Sequence, residues 1–323
     1  MKRVRRMTLS EWERSCAERP SLPAACDRGF AESLRAIPEY DRPAIPFAIE
    51  GYSDEPAIVV AYPRGRRPLD SATLSPLGLA AAFFSGAAIP ADLSALDFFI
   101  QDQSIRWRSI GLSSAPYWPA GSRSSGSGDS SVRSSTHVLD LDADYATLFT
   151  RKFKGATRTC IRRSESGELT VERASDIQTV KDYYRVHEKL AGEKGGYEDI
   201  YPEALFLRLF EICPRFSLVV ARNNGDVVAG CVLLDDGPSY FYWHAAADRA
   251  LARLQPAYAV LSHSIKLAIA AGKTCFNLGA SAGIQSLIAF KESWGARSVD
   301  ITSEVHRHPL IATARSLAAR AHL

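Results

Sequence analysis

The sequence has six cysteines, Cys16, Cys26, Cys160, Cys213, Cys231 and Cys275, but no C-x-x-C pair and no Cys/His cluster at metal-ligand spacing. A structural zinc site is therefore not expected, and no metal is assigned. Most of these cysteines sit in apolar surroundings, as reduced thiols of cytosolic proteins do. A large charge of one sign is also missing. The 39 Lys and Arg against 36 Asp and Glu leave a net +3, which excludes a polycation that coats nucleic acid by bulk charge. The apolar stretch Leu77 to Ile89 is too short to span a bilayer and is broken by Gly78, Ser85 and Gly86. The basic start MKRVRRM is followed by the polar run Thr8-Leu9-Ser10-Glu11-Trp12-Glu13, so neither a secretory signal nor an integral membrane segment is expected. A cytoplasmic protein is the resulting expectation. Heptad repeats are absent as well, which excludes a long coiled-coil arm.

What is present suits one large domain or two of about 150 residues, each able to bury a core. Residues 121–135, GSRSSGSGDSSVRSS, cannot bury apolar surface and read as a linker or long loop. They divide the chain into 1–120 and 136–323. In the first part, Ile45–Glu50 and Ala57–Tyr62 read as strands about a turn, and Leu93–Ile105 as an amphipathic helix. Nothing in that part specifies chemistry.

The second part is more legible. Asp142–Arg163 reads as one helix, and Ser175 as the N-cap of another. Phe216–Arg222, Val227–Leu234 and Ser239–Ala246 read as an antiparallel meander, its first turn made by Asn223-Asn224-Gly225-Asp226. A helix, Pro256–Ala271, a strand, Thr274–Leu278, a helix, Ile284–Trp294, and a strand, Val299–Val305, complete the order. A meander followed by a β-α-β crossover is an α/β arrangement, with a cleft expected where the third and fourth strands part.

These elements and their residues together resemble the GNAT acyltransferase superfamily, and within it the Fem-type branch. The carrying motifs are the basic segment Phe153-Lys154 to Arg163, the hairpin Gly225-Asp226-Val227-Val228-Ala229-Gly230 and the aromatic strand Tyr240-Phe241-Tyr242-Trp243-His244-Ala245. To these are added the helix opening Leu254-Gln255-Pro256, the strand end Phe276-Asn277-Leu278-Gly279-Ala280-Ser281, and Phe290-Lys291-Glu292-Ser293-Trp294-Gly295. The last is the most specific, and the resemblance runs from about 145 to 305.

The resemblance implies two GNAT-like lobes of mixed, mainly antiparallel sheet with flanking helices, the N-terminal one degenerate. It implies an aminoacyltransferase that takes its group from aminoacyl-tRNA and forms a peptide bond on an amine, without a cofactor. A cell-wall (peptidoglycan) precursor and a small peptide-like metabolite both fit as acceptor. An acyl-CoA-dependent N-acyltransferase, with acetyl-CoA as donor, and a non-catalytic binding module are the alternatives. Against CoA stands the stretch Asp248 to Tyr258. It contains no glycine where CoA-using relatives carry a Gly-rich pyrophosphate loop, and Pro256 removes an N–H.

The resemblance places Lys291 where Fem-type enzymes keep a lysine facing the reacting carbonyl or the tRNA end, and aminolysis of an ester calls for a cation near the developing oxyanion. The other reading is a surface lysine lying past an aromatic ring. Lys154, Arg158 and Arg162 recur at i, i+4 and i+8, a helix face for phosphate of tRNA or of a nucleotide-linked substrate, or simply a solvated basic face. Alternation on the aromatic strand would put Tyr240, Tyr242 and His244 on one face and Phe241 and Trp243 on the other. One of those faces would be core, and the other would line the cleft. His244 is a general-base candidate or a structural histidine. Lys194 and Tyr197 match loosely an acceptor-side loop of the Fem type. Asn277, Ser281, Phe290 and Trp294 complete the expected substrate contacts.

Overall fold

In the computed structural model the chain is described for residues 2–19, 21–65, 70–86, 93–118, 130–193 and 201–313. The strands in chain order are β1 (Arg3–Arg6), β2 (Ile45–Glu50), β3 (Ala57–Arg64), β4 (Ser71–Thr73), β5 (Phe83–Phe84), β6 (Ser109–Ser113), β7 (Ser130–Asp140), β8 (Thr170–Arg173), β9 (Phe216–Asn223), β10 (Asp226–Asp235), β11 (Ser239–Ala247), β12 (Cys275–Ala280) and β13 (Arg297–Arg307). The helices are α1 (Leu9–Glu18), α2 (Arg28–Ser33), α3 (Ser94–Gln103), α4 (Tyr145–Arg151), α5 (Gly155–Ser164), α6 (Ile177–Glu193), α7 (Glu203–Ile212), α8 (Pro256–Ala270) and α9 (Gln285–Ser293). The fold is mixed α/β with mainly antiparallel pairing.

Two compact units emerge, Met1–Ser134 with Asp300–Leu323, and Ser135–Val299. The first unit carries the strand order β1-β2-β3-β4-β6-β13, with β5 beside β3. The last strand among the described residues, β13, belongs there because Ser303–Arg307 pair with Ser109–Ser113. Its core gathers Ile49, Val59, Leu74, Leu96 and Phe99, all fully buried. A capping box opens α1: Thr8 accepts from the Glu11 N–H while Glu11 accepts from that of Thr8. Residues 121–129 of the Gly/Ser stretch lie outside the described residues, and Ser130–Ser135 run in β7.

The second unit carries the order β7-β12-β11-β10-β9-β8. The meander β9-β10-β11 is antiparallel, whereas β11 and β12 are parallel and joined through α8. Helix α6 packs on one face of the sheet, against β10 and β11. The contact is so close that a Cβ on Gly230 would stand 2.5 Å from the Tyr183 ring. Helix α8 covers the other face, where Ala229, Cys231, Leu233, Val260, Ile265, Phe276 and Trp294 share a core.

Three readings of the sequence are corrected in this unit. The stretch expected as one helix from Asp142 is two. The helix breaks between Arg151 and Gly155, where Lys154 takes an extended backbone as the N-cap of α5 and the bulky Phe153, 2% exposed, packs onto Trp294. The cap of α6 is Asp176, whose carboxylate accepts from the Thr179 N–H at 2.8 Å, and not Ser175. On β11 the alternation is broken. Leu233 pairs with Tyr242 but Val232 with His244, so Trp243 is the extra residue of a β-bulge. Tyr240 and Tyr242 therefore stay on the α8 side, while His244 joins Trp243 on the α6–α7 side.

Candidate active site

The ladder between β11 and β12 has three pairs, Ser239 with Cys275, Tyr240 with Phe276 and Phe241 with Asn277. Beyond them the parallel strands share no further rungs. At this point β12 ends in a left-handed turn, with Gly279 at φ 78°, Ala282 at 46° and Gly283 at 76°. Gly279 is required twice over, since a Cβ there would also crowd the Phe241 ring at 3.3 Å.

Lys291 reaches this turn from α9. It is 5% exposed, and its Nζ donates to the carbonyls of Gly279 at 2.8 Å and Ala280 at 2.7 Å. Burial lowers its pKa from the ordinary lysine value to about 8. An ammonium has three donors, and these two bonds use two of them. The reading of Lys291 as a surface side chain does not hold.

Neighbours of this amine come from β7, through a pairing that sets Thr136 opposite Ala280 and Val138 opposite Asn277. His137 is 2% exposed, with Nδ1 at 3.3 Å from the Ser281 hydroxyl, itself buried. Its pKa is lowered, first by burial and then by the Lys291 charge. The Asn277 side-chain oxygen accepts from the Thr136 hydroxyl at 2.7 Å and from the Gly279 N–H at 2.9 Å, so this residue shapes the turn. Reading the sequence did not find Thr136 and His137. They adjoin the Gly/Ser stretch, and only the β7–β12 register brings them to Lys291.

The other expected site residues fall into different places. Trp294 is fully buried between Phe153 and Tyr258, with ring centroids at 5.0 and 5.7 Å, and is a core residue and not a substrate contact. Phe290 packs beside it against Tyr258. Tyr242 lies against Phe276 in the core. Arg158 is committed to the chain itself, donating to the carbonyls of Phe153 at 2.6 Å and Thr150 at 3.2 Å. Of the expected basic face, Lys154 and Arg162 remain exposed, the latter with its guanidinium over the Phe149 ring. Lys194 and Tyr197 lie outside the described residues.

His244 sits in an aromatic nest. Its Nδ1 is 2.7 Å from the Tyr183 hydroxyl, and its ring meets His187 edge-on at 4.2 Å. Burial, then the His187 charge, depresses its pKa to about 3. A base so weak is poorly matched to removing a proton from an amine near neutral pH. The structural reading of this histidine is the one its surroundings favour.

Ahead of α8 lies a short 3-10 turn, Arg249–Leu254, capped by Asp248. The Asp248 carboxylate accepts from the Ala250 N–H at 2.9 Å, Gln255 adopts a left-handed conformation, and Pro256 follows as the first helical residue. Lys189 in turn holds Asp248 at 2.7 Å. Asp248 thus caps the turn that precedes α8, while α8 itself begins at Pro256 without a side-chain cap.

Residues 151–292 match the model of the acetyltransferase (GNAT) domain family. No curated protein matches the sequence. Among solved structures, FemX is similar at 13% identity over 93% of this chain and 96% of that chain, with a TM-score of 0.65. The C-terminal domain of an Agrobacterium fabrum protein assigned as a lysylphosphatidylglycerol synthetase is similar at 15% identity over 96% and 95%, TM-score 0.58. L-PGS from Bacillus licheniformis follows at 12% identity over 96% and 95%, TM-score 0.55. At these identities the likeness is one of fold: a Fem-like GNAT fold, the fold class expected from the sequence. Among the described residues no helix is long and apolar enough to cross a membrane.

Proposed function

We propose that the protein is a Fem-type aminoacyltransferase, which moves an aminoacyl group from aminoacyl-tRNA to an amine, and that Lys291 is the cation at the reacting carbonyl. The observation that carries this reading is the Lys291 ammonium itself. It is buried at the end of β12, and two of its three donors are fixed on Gly279 and Ala280.

In the reaction the amine nitrogen attacks the ester carbonyl. The C–N bond forms, the bond from carbonyl carbon to ribose oxygen breaks, and the proton shed by the amine ends on that oxygen. Negative charge gathers on the carbonyl oxygen in the transition state. A cation already held in place, in a site with little water, stabilises it more than a mobile lysine at the surface does. The acceptor classes that fit are a cell-wall precursor and a small peptide-like metabolite. No cofactor enters the scheme.

Two features support tRNA over CoA as donor. The α8 entrance has no glycine, and Pro256 as its first residue removes an N–H donor. The fold-mates also include a protein named for lysine and phosphatidylglycerol, an aminoacyl product. The match to an acetyltransferase domain family keeps the CoA reading as the competitor.

The deciding experiment incubates the protein with charged total tRNA, labelled amino acids and an amine acceptor pool, with and without RNase. Label transfer that RNase abolishes is the expected result. Tight CoA binding in calorimetry, with transfer from acetyl-CoA and none from tRNA, would replace this reading with the competitor. No turnover with any donor would leave a binding module.

A further inference from the structure

In the first unit the chain treats the two faces of β1 differently. Side chains alternate along a strand, so Arg3 and Arg5 project to one side and Val4 and Arg6 to the other. The first pair is neutralised: Glu50 holds Arg3 at 2.8 Å and Arg5 at 2.7 Å, and Glu11 holds Arg5 at 2.9 Å. Arg6 has no acidic partner among the described residues and opens onto a cavity of about 380 Å³.

The floor of that cavity is apolar. Register places Val4 opposite Ile49 and Arg6 opposite Phe47, so Val4, Ile45 and Phe47 lie together beneath Arg6. Trp107, 8% exposed, and the buried amide of Gln103 complete the lining after α3. Arg106 and Arg42 join Arg6 there. Arg42 is balanced by Asp70 at 2.7 Å, whereas exposed Arg106, like Arg6, has no carboxylate among the described residues. Three guanidiniums thus face one carboxylate over an aromatic floor.

We propose that this cavity binds a small organic anion, with a phosphate or carboxylate head on the guanidiniums of Arg6 and Arg106 and an apolar or ring-bearing body on Phe47 and Trp107. Guanidinium forks match such oxyanions two bonds at a time. The aromatic rings supply contact area, and the volume lies in the range of small-ligand pockets. The competing explanation is that β1, a terminal strand of its sheet, carries arginines to discourage edge pairing. That explanation accounts for the charge but not for the concavity beneath it.

The test titrates the full chain with inorganic phosphate, phenyl phosphate, benzoate and benzyl alcohol, followed by calorimetry and tryptophan emission. Phenyl phosphate or benzoate is expected to bind and perturb the emission, and whichever binds more tightly identifies the head group. Benzyl alcohol, which has the ring without the charge, is expected to be silent at the same concentrations. The double variant Arg6→Gln/Arg106→Gln should weaken binding at least tenfold, and Trp107→Phe should remove the emission response. Both arginines are exposed, so an unchanged thermal melt is expected to show that the double variant folds. Failure of every anion to bind, or undiminished binding by the double variant, overturns the proposal. The readout is binding within the first unit, so it stands or falls independently of the transfer assay.

Discussion

The Lys291 ammonium donates to the carbonyl of Gly279 at 2.8 Å, tying the last turn of α9 to the left-handed end of β12. Neither residue has this role without the other. The glycine provides the positive φ that turns its carbonyl toward the helix, and the lysine supplies the charge. Replacing Lys291 by Met keeps the aliphatic stem and removes the cation. Aminoacyl transfer should fall by about 10² to 10³ in kcat, the loss typical of one oxyanion-stabilising donor. Single-turnover transfer with charged tRNA measures it. A variant with wild-type turnover would remove Lys291 from the mechanism.

The same lysine predicts a pH dependence. Its pKa in the folded chain is about 8, so activity that needs the ammonium should decline as pH rises through that value. Stability should change in the opposite sense. Between about pH 8 and the ordinary lysine value of 10.5 the unfolded chain holds a proton that the folded chain has released, and stability rises with pH. Urea melts across this interval, compared with Lys291→Met, check the sign. The variant should lack the rise.

His244→Asn tests whether the histidine takes a proton. With its pKa near 3 and Tyr183 on Nδ1, the residue should not govern any limb of the rate profile near neutrality. The expected outcome is a lower melting temperature, from a disturbed aromatic nest, and an unchanged profile shape between pH 5.5 and 7.5, a range set by the ordinary histidine pKa of about 6.5. Loss of an acidic limb in the variant would restore the histidine as a base.

Gly230→Ala tests the approach of α6 to the sheet. The added methyl would stand 2.5 Å from the Tyr183 ring, which is itself fully buried. Overpacking of this kind costs about 1–3 kcal/mol. Chemical denaturation should show that loss, with the midpoint lowered and the slope retained.

Much of the second unit was legible because its signals are local. Turns such as Asn223-Asn224-Gly225-Asp226 depend on backbone preferences of one or two residues. They mark the same elements in the structure. The motif around Lys291 was legible for the same reason, as a run of neighbours in sequence. The bulge at Trp243 was not: one extra residue in a ladder depends on the partner strand, and it moved His244 to the opposite face from Tyr242.

The sequence by itself determined the order of strands and helices from β9 to α9, the glycine-free entrance to α8, and the lysine on α9. Composition, periodicity and turn chemistry act within a few residues of chain. The tertiary structure alone decided that β7 sets His137 beside Ser281 and Lys291, that Trp294 and Arg158 serve the core and the backbone, and that β13 joins the first unit. Each of these rests on pairing or packing between residues far apart in the chain. There the choice among partners is made by burial and register, which no local pattern encodes.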